Sequence, residues 1–468
     1  MSARPERPSG GTAAPPDEAV SYYAKHVKIH PREVEGRYDR LRRWSVFALL
    51  GLFYLVPWLR WDGRQAVLFD LPARKFWIFS LVLWPQDFIF LTWILVLLGL
   101  SLFFVTALAG RLWCGFACPQ TVWTEVFVWI ERLVEGDRAR RIKLDRAPWS
   151  AAKLGRRTAK HALWIGLSLW TGLSFVGFFA PIAGLTHELL ALSLGGWALF
   201  WTLFYGAATY VNAGYMREQV CKYMCPYARF QSAMFDRDTL IITYDRRRGE
   251  PRGPRARGAD RGAKGLGDCV DCTVCVQVCP TGIDIRQGLQ YECIACAACI
   301  DACDTVMDKV GYPRGLIRYT TENALEGKAT RILRPRTFVY AALLAVVFSA
   351  GLLGLLARRT VALDVIRDRN ALYQEAGDGA IENVYNLKIL NKDSAAHSYR
   401  LTVEGLAGAR IEGDRSTWHV DGGEVYSVPL RVAVPSGTLH GGHDIRFVLT
   451  DADGPARRVV EKARFIAP

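Results

Sequence analysis

Five stretches of this chain are apolar for long enough to leave water: residues 44–59, 88–110, 163–185, 192–211 and 338–357. A bilayer core is ~30 Å thick, and a helix needs about 20 apolar residues to cross it. In lipid every backbone N–H and C=O must be bonded inside the segment, so such runs are expected to be helices. The first run is the shortest. A further piece, FWIFSLVLWPQDF (76–88), is apolar but interrupted by Pro85, and reads as an interfacial or re-entrant segment. Hydrophobic residues make up 51% of the 468, with 15 Trp, yet mean hydropathy is only +0.09. Spans must therefore alternate with polar domains.

Charge orients the spans. Lys and Arg number 59 against 45 Asp and Glu, a net charge of +14. The basic residues crowd beside the apolar runs, in RYDRLRRW, in the loop 111–160 and in YDRRRGEPRGPRARGADRGAK, and no nucleic-acid-binding motif accompanies them. That is orientation charge, and no nucleic-acid partner is expected. The positive-inside rule puts the N-terminus and residues 216–336 in the cytoplasm and everything after residue 358 outside. The first 20 residues are Pro/Gly-rich and polar. They read as the start of a disordered tail and pre-membrane segment (1–40), not as a signal peptide.

Twelve cysteines sit before residue 304. Eight form C-x2-C-x2-C-x3-C twice, in CVDCTVCVQVCP and CIACAACIDACD. Zinc sites use paired Cys-x2-Cys units across a wide gap, whereas three-plus-one runs suit iron–sulfur cubanes. The fourth Cys of each run reaches the other cluster. Cys269, Cys272, Cys275 and Cys303 are expected to hold one [4Fe–4S] cluster, and Cys293, Cys296, Cys299 and Cys279 the second. The second run ends in Cys303-Asp304 where the first has Cys279-Pro280. That swap removes a fixed turn and adds negative charge near a cluster.

The other four cysteines repeat C-x3-C-P: Cys114-Gly-Phe-Ala-Cys118-Pro119 and Cys221-Lys-Tyr-Met-Cys225-Pro226. Proline is favoured at the first position of a helix. Cys118 and Cys225 should then sit at helix caps, where the positive end of the dipole lowers a thiol pKa. Buried single cysteines are often only small hydrophobes. A duplicated pair beside two clusters points instead to redox or metal work. Four thiolates suit cuprous ion, and they also suit reversible disulfides. Cys114, Cys118, Cys221 and Cys225 are thus candidate catalytic residues and a candidate copper site. Residues 360–468 contain no Cys and alternate apolar and polar between turn clusters, the pattern of an antiparallel β-sandwich.

The stretches KIHPREVEGRYDRLRRW, WCGFACPQTVWTEVFVWIERL, CKYMCPYARFQSAMFDRDTLIITYDRRRGEPRG, the double cysteine run and GYPRGLIRYTTEN make the chain resemble the cytochrome c oxidase accessory protein family, CcoG/RdxA/FixG. The resemblance implies a polytopic α-helical membrane protein of about five spans in the bacterial inner membrane. It adds a cytoplasmic two-[4Fe–4S] ferredoxin-like domain and a C-terminal periplasmic Ig-like β-sandwich. It also implies reduction of Cu(II) to Cu(I), with copper as substrate or transient ligand of Cys114, Cys118, Cys221 and Cys225. The implied partners are the lipid bilayer, copper ions, a cytoplasmic electron donor, a copper-exporting P-type ATPase and the assembly factors of cbb3-type oxidase. The expected division is 1–40 tail, 41–245 four-span membrane domain, 246–264 basic flexible linker, 265–325 ferredoxin domain, 335–358 fifth helix and 360–468 outer domain.

Two other functions use the same features. A quinol-oxidising module similar to NapH/NosR shares the C-x3-C-P pairs and ferredoxin repeats. A non-catalytic assembly scaffold would need only the outer domain. A covalent haem is not expected, since no C-x2-C-H occurs. His161, His187, His397, His419, His440 and His443 are weak ligand candidates, expected to be interfacial, hydrogen-bonded or turn residues. Asp87 reads as a solvated interfacial carboxylate. Lys222 and Arg229, beside the second pair, stabilise a thiolate or snorkel.

Overall fold

The computed structural model describes residues 28–254, 265–376, 379–393, 395–413, 417–435, 437, 439–452 and 458–468. The tail up to residue 27, and 255–264 of the expected linker, lie outside the described residues.

Helix α1 covers Arg37–Leu55, α2 Phe88–Ala109, α3 Leu112–Phe116, α4 Pro119–Glu135 and α5 Arg138–Arg146. Then come α6 Ala151–Val176, α7 Ile182–Leu190 and α8 Gly196–Thr209, which widens into π-helical turns at Tyr210–Met216 and Val220–Met224 before α9 Pro226–Ala233. Further on lie α10 Arg246–Gly249, α11 Val274–Gln277, α12 Ala298–Val310, α13 Glu322–Leu325 and α14 Pro335–Leu356.

All five apolar runs fall on helices, but only two are long and apolar enough by themselves to cross a membrane: Pro85–Ala109 and Pro335–Leu356. Charged residues dilute α1 and the first half of α6, and α8 is only 14 residues long before its π turns. The two apolar helices pack against each other. The Trp93 indole donates to the Val347 carbonyl at 2.7 Å, and a Cβ on Gly351 would strike that indole. Helices α6 and α8 also approach closely, since a Cβ on Gly172 would lie 2.2 Å from the Thr202 carbonyl oxygen. Small residues are what such backbone contact requires.

The segment expected to be interfacial or re-entrant is β-structure over most of its length. Val67–Asp70, Lys75–Ile78 and Leu81–Leu83 form a three-stranded antiparallel sheet, followed by a 3₁₀ turn at Pro85–Asp87. Val67, Phe69, Phe76, Trp77, Ile78 and Val82 supply β-branched and aromatic side chains, and Pro85 falls outside the strands, where it breaks no ladder.

Strands Ile241–Tyr244 and Ile317–Thr320 pair antiparallel and bracket the two cysteine runs. The part of the expected flexible linker that is described is docked, not loose. Helix α10 precedes backbone bonds from Gly253 N to the Cys269 carbonyl and from Gly267 N to the Pro251 carbonyl, and Arg248 pairs with Asp268 at 2.5 Å. The ferredoxin-like domain itself is held on the helix heads. The Asp301 carboxylate on α12 accepts from Tyr38 N and Asp39 N at the start of α1, at 3.2 and 2.8 Å, capping N–H groups that have no partner within the helix. These contacts seat the domain on the head of α1.

Residues 361–467 form two facing antiparallel sheets. One has Ile381–Asn391 between Val425–Val434 and Val361–Arg367, and the other has Gly441–Asp451 between His397–Glu404 and Arg458–Ala467. Tyr385, Leu387, Ile389, Leu401, Phe447 and Phe465 fill the space between them. Alternation along each strand sends these residues inward, as sandwich packing needs.

Candidate functional site

Each cysteine run winds through the same unusual backbone. Asp271 and Thr273 in the first run, and Ala295 and Ala297 at the equivalent places in the second, have φ between 55° and 61°. Left-handed conformations are unfavourable for residues with a Cβ, by roughly 1 kcal/mol or more each. They wrap the loop so that thiols and N–H groups face inward, the arrangement that suits an anionic cluster. Two cavities of similar size result. Cys269, Cys272, Cys275 and Cys303 line the first, with Met307, Leu316 and Ile317. Cys279, Cys293, Cys296 and Cys299 line the second, with Ile242, Ile285 and Ile294. Cys275 lines both. The last Cys of each run thus reaches the cavity of the other run. Thiol donors, apolar walls and near-equal size fit a pair of cubanes.

Asp304 has a structural use. It lies inside α12, where proline would break the helix, and accepts from Gly315 N at 2.9 Å. Its charge still raises the proton affinity of Cys303, after burial and the neighbouring thiols.

The C-x3-C-P motifs meet at the same end of the helix bundle. Cys118 is the N-cap of α4 and Cys225 the N-cap of α9, each followed by proline in the first turn. Cys114 lies in α3, and its thiol donates to Gln231 Oε1 of α9 at 3.1 Å, linking the two motifs. Thr121 Oγ1 donates to the Cys114 carbonyl at 2.6 Å. Cys114 and Cys221 pack against the wall of the second cavity, which includes Cys296. Gly115 explains how: a Cβ there would lie 2.7 Å from the Ala295 carbonyl oxygen, so only glycine lets α3 rest on the second run.

The lowered thiol pKa expected at a helix cap is not found at Cys118. Burial first, and the neighbouring thiols after it, push Cys114 and Cys221 up to about 12. Cys118 also rises through burial. The N–H groups of Thr121 and Gln120 at the helix start pull it down, by less than burial raises it. Cys114, Cys118 and Cys221 are half-buried thiols with raised proton affinity, and binding a metal would release those protons.

The cation acting on the site is Arg111, which the sequence reading passed over for Lys222 and Arg229. Arg111 is 4% exposed, donates to the Cys293 carbonyl at 3.3 Å, and also bonds the Tyr291 and Ala228 carbonyls. Its charge lowers the proton affinity of Cys114, Cys221 and Cys293. The available signal was position, three residues before Cys114. Lys222 is half-buried and Arg229 exposed.

The weak candidates go elsewhere. His161 Nδ1 bonds Tyr210 at 3.0 Å, His397 meets Asp393 at 3.1 Å, His419 bonds Ser398 at 3.2 Å, and His443 bonds the His440 carbonyl at 3.1 Å. His187 lies on α7, away from the thiols. Asp87 is not solvated. It is 6% exposed and pairs with Arg358 at 2.6 Å and Lys392 at 3.1 Å, tying the start of α2 to the end of α14 and to the outer sandwich.

Residues 216–322 match a 4Fe-4S dicluster domain family, residues 89–136 a 4Fe-4S binding domain family, and residues 351–468 the Ig-like fold at the C-terminus of FixG. The chain is 40% identical over 491 residues to the nitrogen fixation protein FixG of Rhizobium meliloti, covering 95% of this chain and 94% of that one. It is 41% identical over 453 residues to protein RdxA of Cereibacter sphaeroides, covering 92% and 95%. A crystal structure of a FixG-related protein from Vibrio parahaemolyticus matches 23% of this chain and 97% of its own, at 33% identity and a TM-score of 0.22. With full-length relatives at this identity, iron–sulfur domains and an Ig-like C-terminal domain, this chain is an iron–sulfur electron-transfer protein and belongs to the FixG/RdxA family.

Proposed function

We propose that this chain reduces Cu(II) to Cu(I) at the bacterial inner membrane, for delivery through a copper-exporting P-type ATPase to a cbb3-type cytochrome c oxidase under assembly. One observation carries the reading. The first cysteine cavity shares Cys275 with the second, and the second shares its wall with Cys114 and Cys221. Protein contact is therefore unbroken from the surface-facing Cys272 to Cys114 and Cys221, one thiol of each C-x3-C-P motif.

In this reading Cys269, Cys272, Cys275 and Cys303 hold one [4Fe–4S] cluster, and Cys279, Cys293, Cys296 and Cys299 the other. Bound clusters supply one-electron chemistry, fed by a cytoplasmic donor. Cys114, Cys118, Cys221 and Cys225 form the copper-facing end. Copper needs one electron, and its reduced form prefers soft sulfur. Arg111 offsets the negative charge that builds up when thiols lose their protons, and Gln231 orients Cys114.

The sidedness follows from charge. Apolar side chains such as Leu95, Phe200, Phe338 and Leu353 face outward, where lipid tails would cover them. Five spans with basic loops inside put the ferredoxin-like domain in the cytoplasm and the sandwich in the periplasm.

The test is a cell lacking the chain, supplied with the Cys114→Ser/Cys118→Ser variant. Oxidase activity should be lost, and a membrane-permeant Cu(I) chelate should restore it. Oxidase that matures normally with this variant, or that Cu(I) cannot restore, contradicts copper reduction and favours a scaffold.

A further inference from the structure

We propose that Cys114, Cys118, Cys221 and Cys225 together hold a third [4Fe–4S] cluster, seated between the heads of α4 and α9. The proposal rests on the electron-transfer reading above and names the resident group of its copper-facing end. Copper then takes its electron beside this cluster and is not itself ligated by the four thiols.

The first argument is placement. Two thiols cap or precede α4 and two α9, and Gln231 of α9 holds the thiol of the opposite motif. Each of Cys114 and Cys221 has other C-x3-C-P thiols among its strongest electrostatic neighbours, as Cys303 has Cys275, Cys269 and Cys272. The four come two from each motif, at the heads of α4 and α9 beside the second cysteine run, and four thiols are the number a cubane binds.

The second argument is arithmetic on the family matches. The 4Fe-4S binding domain match, 89–136, contains two cysteines, Cys114 and Cys118. The dicluster match, 216–322, contains ten, and two cubanes use eight. The two left over are Cys221 and Cys225, and with the first pair they make one further set of four.

The third is Arg111. It is buried between the second cavity and the four thiols, and its Nε–H has no hydrogen-bond partner. An orphaned buried donor costs about 1–3 kcal/mol. A cluster carrying four thiolates has a net charge of minus two, and its sulfurs accept hydrogen bonds. Filling the site balances simply: four thiols release four protons, and their sulfurs bind the [4Fe–4S] core, whose charge is plus two.

The experiment counts iron and acid-labile sulfide per chain in the full-length protein, purified and reconstituted without oxygen. The expected result is about 12 of each in the wild type and about 8 in Cys118→Ser/Cys225→Ser, with the paramagnetic signals of the two ferredoxin clusters retained. Wild-type protein that saturates at about 8, a count that does not fall in the variant, or copper found on the four thiols in place of iron overturns the proposal. The wild-type count needs no variant, so it decides the matter even if the altered chain does not fold. Copper reduction is not read here. A chain with the larger count that leaves Cu(II) untouched keeps the cluster and loses the copper reading, and the smaller count with Cu(I) formed does the reverse.

Discussion

At the scale of single residues, the helix carrying Cys118 is anchored by charge. Glu131 of α4 is buried and pairs with Arg217 at 2.8 Å and Arg141 at 3.0 Å. Arg217 lies four residues before Cys221, so this pair joins one C-x3-C-P motif to the other. The cations outweigh the burial that opposes charge and bring the Glu131 carboxyl down to about 2. A carboxyl lowered on folding stabilises above its unfolded value, about 4.3, and that contribution fades as pH falls toward 2. Glu131→Gln should therefore cost about 3–5 kcal/mol at neutral pH, since it strands buried guanidinium groups. The deficit should narrow in acid, as read from thermal midpoints of the two proteins. Equal midpoints at neutral pH would show that the network does not hold the site. The sequence showed the thiols because their spacing is local. It hid Glu131, Arg217 and Arg111, because an ion pair between residues 86 apart leaves no periodic trace.

At the scale of elements, legibility followed period. The sandwich strands were readable because one face of each is buried, so apolar residues alternate, as in Val425–Val434. The helices after Pro119 and Pro226 were readable from the proline alone. The sheet between Val67 and Leu83 was not, because its residues are partly buried on both faces and the stretch 76–83 reads as one apolar run broken only by Ser80. The role of Asp87 was hidden for the same reason as that of Glu131, since Arg358 and Lys392 lie 271 and 305 residues away. Asp87→Asn should loosen the sandwich from the start of α2 without unfolding it, because the sandwich core does not include Asp87. Limited proteolysis between α14 and residue 361 should quicken by at least several-fold while the released domain keeps its melting temperature. Cleavage at the wild-type rate would remove this carboxylate from the junction.

At the scale of the whole molecule, the cysteine-bearing parts form one body. Asp301 caps α1, Arg42 donates to the Cys296 carbonyl at 3.3 Å, and α3 rests on the second cysteine run. No swing of the ferredoxin-like domain is needed to bring its thiols to the C-x3-C-P pairs. Electron exchange within the protein should then be fast and independent of solvent viscosity. The most direct measurement mixes chemically reduced protein, freed of excess reductant and oxygen, with Cu(II) and follows cluster bleaching and Cu(I) together. The account predicts one Cu(I) for each electron lost, and a rate that collapses in Cys114→Ser/Cys118→Ser. Clusters that stay reduced with Cu(II) but reoxidise with a quinone would contradict it and make the chain a quinone-linked carrier.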